Sequence, residues 1–498
     1  MRRIARIRNI FPVHYRPDQP ALSSPGWNAA ADRGRAEAGP VSPSTAFDIL
    51  TIHSTKSTKK EQPDACFFRP GVYDEAILDP VKKAAKGGCR MDAPAEKHLL
   101  IVTEYYPLPQ RPDLPRDQQA IRQLCMARAA DEHILILLMP FHRRGAAWRR
   151  LLPLMRESGD YREHLFQDED GNDVLLCEHP SVVPRLSSVY PCIVRRCLRM
   201  LRDYMRDRGI AAFDGMAVHF PTRFAPLAAR IPAARKTAIL HAFDVRRPSR
   251  LRALRRALPT FDRIACRAPW IARRAAEALP LREAPALCLS GVPRDALESC
   301  DPHRPWRPGG TLRLLYAGRL MRNKQVDVLL RALAALGAEV PVTLQLIGDG
   351  PERPSLEALC RDLHLTGRVT FRGRLPRAQV LDAMRHADAL VLVSRSETLG
   401  LVCLEAMASG ALVIASRGQG VDGLIRHGES GFLVDTALPP RHAARALAQV
   451  LRRVLALREE EALALRARAA ALVQPLEERA VSRRYLTMLA APGKERAA

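Results

Sequence analysis

Residues 387–416 read ADALVLVSRSETLGLVCLEAMASGALVIAS and contain two short apolar runs separated by a loop and a helix-length segment. The runs ALVLV and ALVIAS are rich in Val, Leu and Ile, which is typical of strands that are buried on both faces of a sheet. Neighbouring parallel strands need a crossover connection, which is usually a helix. The segment therefore predicts a β-α-β unit of a parallel sheet.

The same alternation continues along most of the chain. The apolar runs form two series, which are separated by the proline-rich stretch CDPHRPWRPGG. Two such series predict an α/β protein with two Rossmann-like, doubly wound domains that face each other across a cleft. We place the first domain at residues 96–300, the second at residues 308–475 and a helical tail at residues 476–498.

Residues 1–95 differ from the rest, because they are rich in Pro, Ser and Gly and have no helical or strand periodicity. We predict a disordered extension, with Met91 as a candidate translation start. No apolar run approaches the roughly 20 residues that span a bilayer, and the basic amino terminus is not followed by a signal-peptide core. The eleven cysteines include no C-x-x-C pair, which favours reduced structural thiols. These features together predict a cytoplasmic protein.

The chain carries 78 Lys and Arg against 53 Asp and Glu, a formal net charge of +25. Such a field attracts polyanions. The stretch DVRRPSRLRALRRAL, residues 244–258, is densely basic and has no interleaved aromatic residues, so we expect no specific binding of nucleic acid. It favours peripheral docking on the anionic inner face of a membrane. A solvated arginine-rich helix is the alternative.

Charged residues and glycines follow the predicted strands of the second series. Gly318, Arg319 and Lys324 come after its first strand, and two cations there suit a diphosphate. Glu397 precedes a helix amino terminus, which is a common anion site. Glu405 lies in an otherwise apolar helix, where a carboxylate without a partner is costly. Ligands of open parallel sheets bind at the carboxyl ends of the strands, so these residues predict a site there.

Residues 311–436 resemble the donor-binding domain of the retaining glycosyltransferases with the GT-B fold, of the family four type. The resemblance is carried by LLYAGRLMRNKQVDVLLRAL, LQLIGDGP, VTFRGRL, the stretch 387–416 with its two glutamates eight positions apart, and GESGFLVD. It implies transfer of a sugar from a UDP-, GDP- or ADP-sugar to an acceptor hydroxyl with retained configuration. The implied acceptor is a glycan or glycolipid, and GQGVDGLI resembles the branch that acts on bacterial surface polysaccharides.

The resemblance also implies a role for each matching residue. Arg319 and Lys324 would hold the donor diphosphate, beside the backbone of Gly318. Glu397 would face the donor sugar, and Glu405 would bind the nucleotide ribose. Further donor contacts would come from the residues after Glu397, namely Thr398, Leu399, Gly400 and Leu401.

Two further elements have implied roles. The loop from Arg372 to Leu375 resembles the segment that holds the nucleotide base. His241, in LHAFDV, resembles the histidine of the family's H-x-x-D element and would contact the donor sugar and the transition state; a core histidine is the alternative. The candidate catalytic residues are therefore Glu397, His241, Arg319 and Lys324.

The implied chemistry needs no metal ion or other cofactor. Asp168 to Asp170 match a D-x-D pattern, but they lie in a predicted polar hairpin away from the strand ends, so we expect no metal there. We expect a front-face route, in which the leaving phosphate accepts the proton of the acceptor, rather than a double displacement on Glu397. Two other function classes remain open: a basic polyanion-binding protein, and a sugar-nucleotide epimerase of the same fold, which SETLGLVCLEA disfavours.

Overall fold

The computed structural model describes residues 96–111, 114, 119–142, 160–180, 191–298, 301–306 and 309–490. The predicted extension at residues 1–95, with Met91, lies outside the described residues. Two large sheets, with helices between successive strands, form the framework of the described chain. They confirm the predicted pair of α/β domains.

The first sheet has eight strands and belongs to the amino-terminal domain. Its strands, and a separate two-stranded pair formed by β3 and β6, are β1 (Lys97–Thr103), β2 (Glu132–Leu138), β3 (Phe141–His142), β4 (Leu165–Gln167), β5 (Asp173–Leu176), β6 (His179–Pro180), β7 (Gly215–His219), β8 (Lys236–Leu240), β9 (Arg263–Cys266) and β10 (Ala286–Leu287). The eight strands lie in the order β10-β9-β8-β7-β1-β2-β5-β4. Neighbours are parallel except β4 and β5, whose antiparallel pairing confirms the predicted hairpin.

The helices of this domain connect its strands. They are α1 (Arg122–Cys125), α2 (Pro191–Asp207), α3 (Pro221–Ala228), α4 (Ala242–Val245), α5 (Pro248–Ala257), α6 (Pro269–Ala278) and α7 (Arg294–Glu298). Proline stands in the first turn of α3, α5 and α6. Its fixed φ suits a helix start, and the N–H that it lacks has no partner inside the helix. The connections at the carboxyl ends of β7 and β9 are therefore short, and they hold the residues there close to the sheet.

The second sheet has six strands, all parallel. They are β11 (Leu312–Ala317), β12 (Val342–Ile347), β13 (Val369–Gly373), β14 (Ala389–Leu392), β15 (Leu412–Ser416) and β16 (Phe432–Val434). Their order, β13-β12-β11-β14-β15-β16, is that of a dinucleotide-type doubly wound sheet. The helices are α8 (Val326–Ala334), α9 (Arg353–Asp362), α10 (Arg377–His386), α11 (Leu401–Ala408), α12 (Pro440–Leu455) and α13 (Glu459–Val473). The stretch 387–416 forms β14, α11 and β15, as predicted.

Glycine is required where the loops after β11 and β12 touch. A Cβ atom on Gly348 would lie 1.9 Å from the carbonyl oxygen of Gly318, and the φ of Gly348 is +132°. A side chain there would meet rigid backbone and would also strain the chain. The two glycines therefore bring the strand-end loops of this domain into direct contact.

The last described helix, α14 (Glu478–Ala490), returns to the first domain. Ser482 Oγ donates to the carbonyl of Leu124 at 2.9 Å and accepts from the N–H of Ala127 at 2.9 Å. Arg483 makes a bidentate ion pair with Glu132, with N–O distances of 2.6 and 2.5 Å. The first domain is therefore completed by the carboxyl-terminal part of the chain.

Cys177 and Cys197 form a disulfide across 20 residues of sequence. The prediction of reduced thiols throughout is therefore wrong for this pair, whose spacing gave no signal. Within the described ranges, the free cysteines are buried: Cys125, Cys266, Cys288, Cys360 and Cys403.

None of the helices in the described part of the chain has the length and apolar character needed to cross a membrane.

Candidate active site

A cleft with a volume of about 790 Å³ lies between the carboxyl ends of the two sheets. This volume is within the range of small-molecule sites, roughly 300–1,000 Å³. Its second-domain wall is the loop from Ser396 to Leu401, together with Asn323. Its first-domain wall includes His241, Phe220, Ser290 and four arginines. Both sheets thus present strand-end residues to one cavity.

The loop between β14 and α11 has an unusual backbone. Ser396 and Gly400 have φ values of +80° and +74°, a region that favours glycine. The side-chain oxygen of Gln419 accepts from the N–H of Ser396 and, at 3.0 Å, from that of Glu397. Gln419 therefore fixes the turn that carries the predicted donor contacts into the cleft.

Lys324 and Glu397 form an ion pair beside this turn, with Nζ 2.6 Å from Oε2. Lys324 ends a 3-10 turn, Arg322–Lys324, that follows β11. The side chains are only 22% and 18% exposed, so solvent screens the pair less than a surface pair. Two predicted catalytic residues are thus in contact, at the edge of the cavity that Glu397 lines.

Four other predicted residues lie outside the cleft lining. Gly318 and the exposed Arg319 follow β11, where the Arg319 carbonyl accepts from the Tyr316 hydroxyl at 3.0 Å. Arg372 is exposed near the end of β13, and Leu375, two residues past that strand, packs against the core.

Glu405 is buried on α11, with 8% of its side chain exposed. It accepts from Nη2 of Arg377, at the start of α10, at 2.7 Å. This partner, which sequence reasoning missed, offsets the cost of burying the carboxylate. Arg377 is 51% exposed, and Glu405 is not part of the cleft lining.

His241 belongs to a hydrogen-bonded chain that reaches the last helix. Its Nε2 lies 2.9 Å from Nδ1 of His219, and Nε2 of His219 lies 3.1 Å from the hydroxyl of Tyr485. The His241 ring also stacks on Phe220, with centroids 4.1 Å apart. His241 lines the cleft, so a ligand there can reach its ring.

Burial and the charge of Arg267 lower the pKa of His241 well below its usual value. Burial, His241 and Arg267 do the same to the pKa of His219. Both imidazoles are therefore neutral near pH 7, and a neutral ring can accept as well as donate a hydrogen bond. Asp244 is buried on α4, and burial raises its pKa to about 6; it accepts from the N–H of His241 at 2.9 Å.

The basic segment 244–258 borders both the cleft and solvent. Arg246, Arg247 and Arg250 line the cleft, and Arg246 and Arg247 are exposed, as are Arg252 and Arg256 of α5. Docking of this segment on a membrane stays a prediction.

The Asp168–Asp170 motif lies in the β4–β5 hairpin. Asp168 accepts from the hydroxyl of Tyr106 at 2.5 Å and from the side chain of Asn172 at 2.9 Å. Arg122 bonds Asp170 at 3.0 Å. In the described ranges, no group of three His, Cys, Asp or Glu side chains is arranged to hold a metal ion.

Sequence reasoning missed several residues of the site. Arg267 immediately follows β9 and His219 ends β7, so the strand-end rule that found Arg319 could have found them. Gln419, Arg377 and Tyr485 had no comparable signal, because their roles depend on contacts between distant segments.

Residues 304–469 match the model of the family described as glycosyl transferases group 1. Among curated relatives, N-acetyl-alpha-D-glucosaminyl L-malate synthase of Bacillus anthracis is 37% identical over 122 residues, which are 24% of this chain and 32% of that protein. Lipopolysaccharide core biosynthesis glycosyltransferase LpsE of Rhizobium meliloti (strain 1021) is 32% identical over 235 residues, which are 46% of this chain and 64% of that protein. The chain thus spans less than two thirds of the length of each relative.

Among solved structures, Anabaena Alr3699/HepE in complex with UDP and glucose superposes with a TM-score of 0.53 at 16% identity. The match covers 80% of this chain and all of that one. At this identity the likeness shows the fold, and it includes both sheets. Residues 304–469 are therefore similar to the group 1 family of glycosyl transferases, and the two sheets of the chain have the GT-B fold.

Proposed function

We propose that the protein transfers a sugar from a nucleoside-diphosphate donor to an acceptor hydroxyl, with retention of the anomeric configuration. One observation carries the proposal: the turn Ser396–Leu401, with the Lys324–Glu397 pair beside it, lies across the cleft from His241. Cationic groups and a helix start at a strand end suit a diphosphate.

The chemical problem is to stabilise a departing diphosphate while positive charge grows on the sugar ring. Lys324 and Arg319 address the first part by preorganised positive charge. Glu397 faces the donor sugar and positions it, and the ion pair with Lys324 holds the Glu397 carboxylate in place. His241, which is neutral and lines the cleft, contacts a hydroxyl of the donor sugar. The acceptor oxygen bonds to the anomeric carbon on the side from which the bond to the diphosphate breaks, and the leaving phosphate accepts the proton of the acceptor. The reaction therefore needs neither a protein nucleophile nor a protein base.

The donor and acceptor classes are proposed from the comparisons. The HepE structure contains UDP and glucose, which supports testing UDP-sugars first. LpsE acts in lipopolysaccharide core biosynthesis, which supports a surface polysaccharide or glycolipid acceptor. Docking of the basic stretch 244–258 on an anionic membrane stays a prediction, checked by vesicle binding at rising salt.

The decisive experiment incubates the protein with UDP-, GDP- and ADP-sugars and follows slow hydrolysis of each donor. We expect one nucleotide class to be hydrolysed, with the anomeric configuration of the first product read by NMR. A protein that binds none of these nucleotides and hydrolyses no donor would contradict the proposal. An inverted product would overturn retention alone.

Replacing Glu405 with glutamine is expected to weaken donor binding and to change kcat little. The reason is that ribose contacts are equally present in the ground and transition states. Isothermal titration with the nucleoside diphosphate gives Kd, and steady-state kinetics give kcat. Glu357→Gln is the matched control, because it breaks the Arg353–Glu357 pair on α9. Unchanged nucleotide affinity in Glu405→Gln would remove Glu405 from the donor site.

A further inference from the structure

Arg267 is a buried cation at the base of the cleft, with 3% of its surface exposed. Its Nη1 donates to the carbonyl of Cys288 at 2.9 Å, and its Nη2 donates to Oγ of Ser290 at 2.6 Å. In the described part of the chain no carboxylate lies within ion-pair distance of it. A buried charge without a counter-ion is costly, so its presence in a cavity indicates a ligand of opposite charge.

Three more arginines line the same wall: Arg246, Arg247 and Arg250. Arg250 lies over the ring of Phe243, 4.0 Å from its centroid, and its Nη1 is buried without an acceptor among the described residues. Burial lowers the pKa of Arg250, and the positive charge of Arg247 lowers it further. Arg247 therefore repels Arg250, and both residues line a cavity that a ligand can enter.

The carboxylate that acts on Arg250 is that of Asp244, which is already engaged. Its oxygens accept from the hydroxyl of Thr222 at 3.0 Å and from the N–H of His241 at 2.9 Å. It does not enter the cleft lining. Among the described residues that line this wall of the cleft none is acidic, so its positive charge is not neutralised there.

We propose that Arg246, Arg247, Arg250 and Arg267 form a subsite for an oxyanionic group, phosphate or carboxylate, on the acceptor. Guanidinium matches both groups with paired hydrogen bonds. The subsite lies on the first-domain wall, opposite the Ser396–Leu401 turn and Lys324, which the proposed function gives to the donor. The assignment to the acceptor rests on that proposed function; the anion site itself does not.

The test is isothermal titration of the full-length protein with glucose 6-phosphate, glucuronate and glucose at constant ionic strength. Each sugar is titrated into the free protein and into protein saturated with the nucleoside diphosphate that it binds. We expect one or both anionic sugars to bind in the presence of nucleotide, and glucose to bind far more weakly. Which anion binds distinguishes phosphate from carboxylate. Equal binding of all three, or no anion binding, would overturn the proposal.

Two double variants of equal charge separate a site from general attraction. Arg246→Ala/Arg247→Ala removes two cleft arginines and is expected to weaken anion binding by about tenfold or more, since charge-assisted hydrogen bonds are lost. Arg252→Ala/Arg256→Ala removes two outward arginines of the same region and is expected to leave anion affinity within about twofold.

Equal losses in the two double variants would overturn the subsite. A loss of nucleotide affinity in the cleft variant, with anion binding kept, would overturn it too, because the arginines would then serve the donor. Failure of the proposed function looks different. The protein would bind no nucleotide and hydrolyse no donor, while anion binding to the free protein would still show whether the subsite exists.

Discussion

Lys324→Ala is expected to lower kcat by about 100-fold or more, as the loss of one preorganised charge at a developing negative group does. Nζ of Lys324 lies beside the turn that lines the cleft, where the leaving diphosphate would gain charge. Steady-state kinetics with the best donor provide the measurement, and circular dichroism checks the fold. Arg322→Ala, in the same 3-10 turn, is the control. Turnover at the parental rate in both variants would refute the assignment of this cleft.

The contact between Lys324 and Glu397 makes the expected losses non-additive. Glu397→Ala should also depress turnover, through lost positioning of the sugar. In the double variant, the second substitution removes a side chain whose partner is already absent. It should therefore lower kcat by a smaller factor than the same substitution does in the parent protein. Strict additivity of the two barriers would show that the pair observed at 2.6 Å is absent during catalysis.

Arg483→Ala is expected to lower the free energy of unfolding by about 3–5 kcal/mol, because it leaves a buried carboxylate unpaired. Glu132 is 1% exposed, whereas Arg483 is 41% exposed. Glu132→Ala should therefore cost less, since the remaining guanidinium can be hydrated. Urea unfolding at pH 7 measures both. Glu298→Ala is the control: its pair with Arg294 is as short, at 2.6 Å, but lies at the surface and is expected to contribute about 0–1 kcal/mol.

The same pair has a defined pH dependence. Burial alone would raise the pKa of Glu132, but the hydrogen bonds from Arg483 and from the N–H of Ala129 hold it below its ordinary value of 4.5. A carboxyl with a depressed pKa stabilises the fold above that ordinary value, and this contribution is lost as the pH falls through the lower folded pKa. The stability difference between the parent and Glu132→Gln should shrink over that acidic range. A difference that stays constant would contradict the charged pair.

The sequence predicts the two sheets well because their strands are short apolar runs that are buried on both faces. In the stretch 387–416 each run became a strand, and the glycine-containing turn between them faces the cleft. His241 was found through the resemblance of LHAFDV to the family's H-x-x-D element, whereas Glu397 was found because it follows a strand. This rule depends only on chain direction and connection length, which are local properties.

The remaining contacts could not be predicted, because they join segments that are far apart in the chain. Arg377 meets Glu405 across 28 positions, and Tyr485 meets His219 across 266. Cys177 and Cys197 are 20 positions apart, yet their Cα atoms are 6.3 Å apart. No composition or periodicity near any of these residues encodes its partner. The packing of the distant segments decides which partner each residue contacts.

The return of α14 to the first domain means that the molecule cannot be recombined at a single crossover. A chimera that keeps this first domain but takes its second domain from another enzyme needs two junctions, near residues 301–306 and 474–476. A one-junction swap would import a foreign last helix, without Arg483 to meet Glu132 and without Tyr485 to meet His219. Such a hybrid would lose stability and misorient His241 at once, although neither exchanged residue touches the substrate.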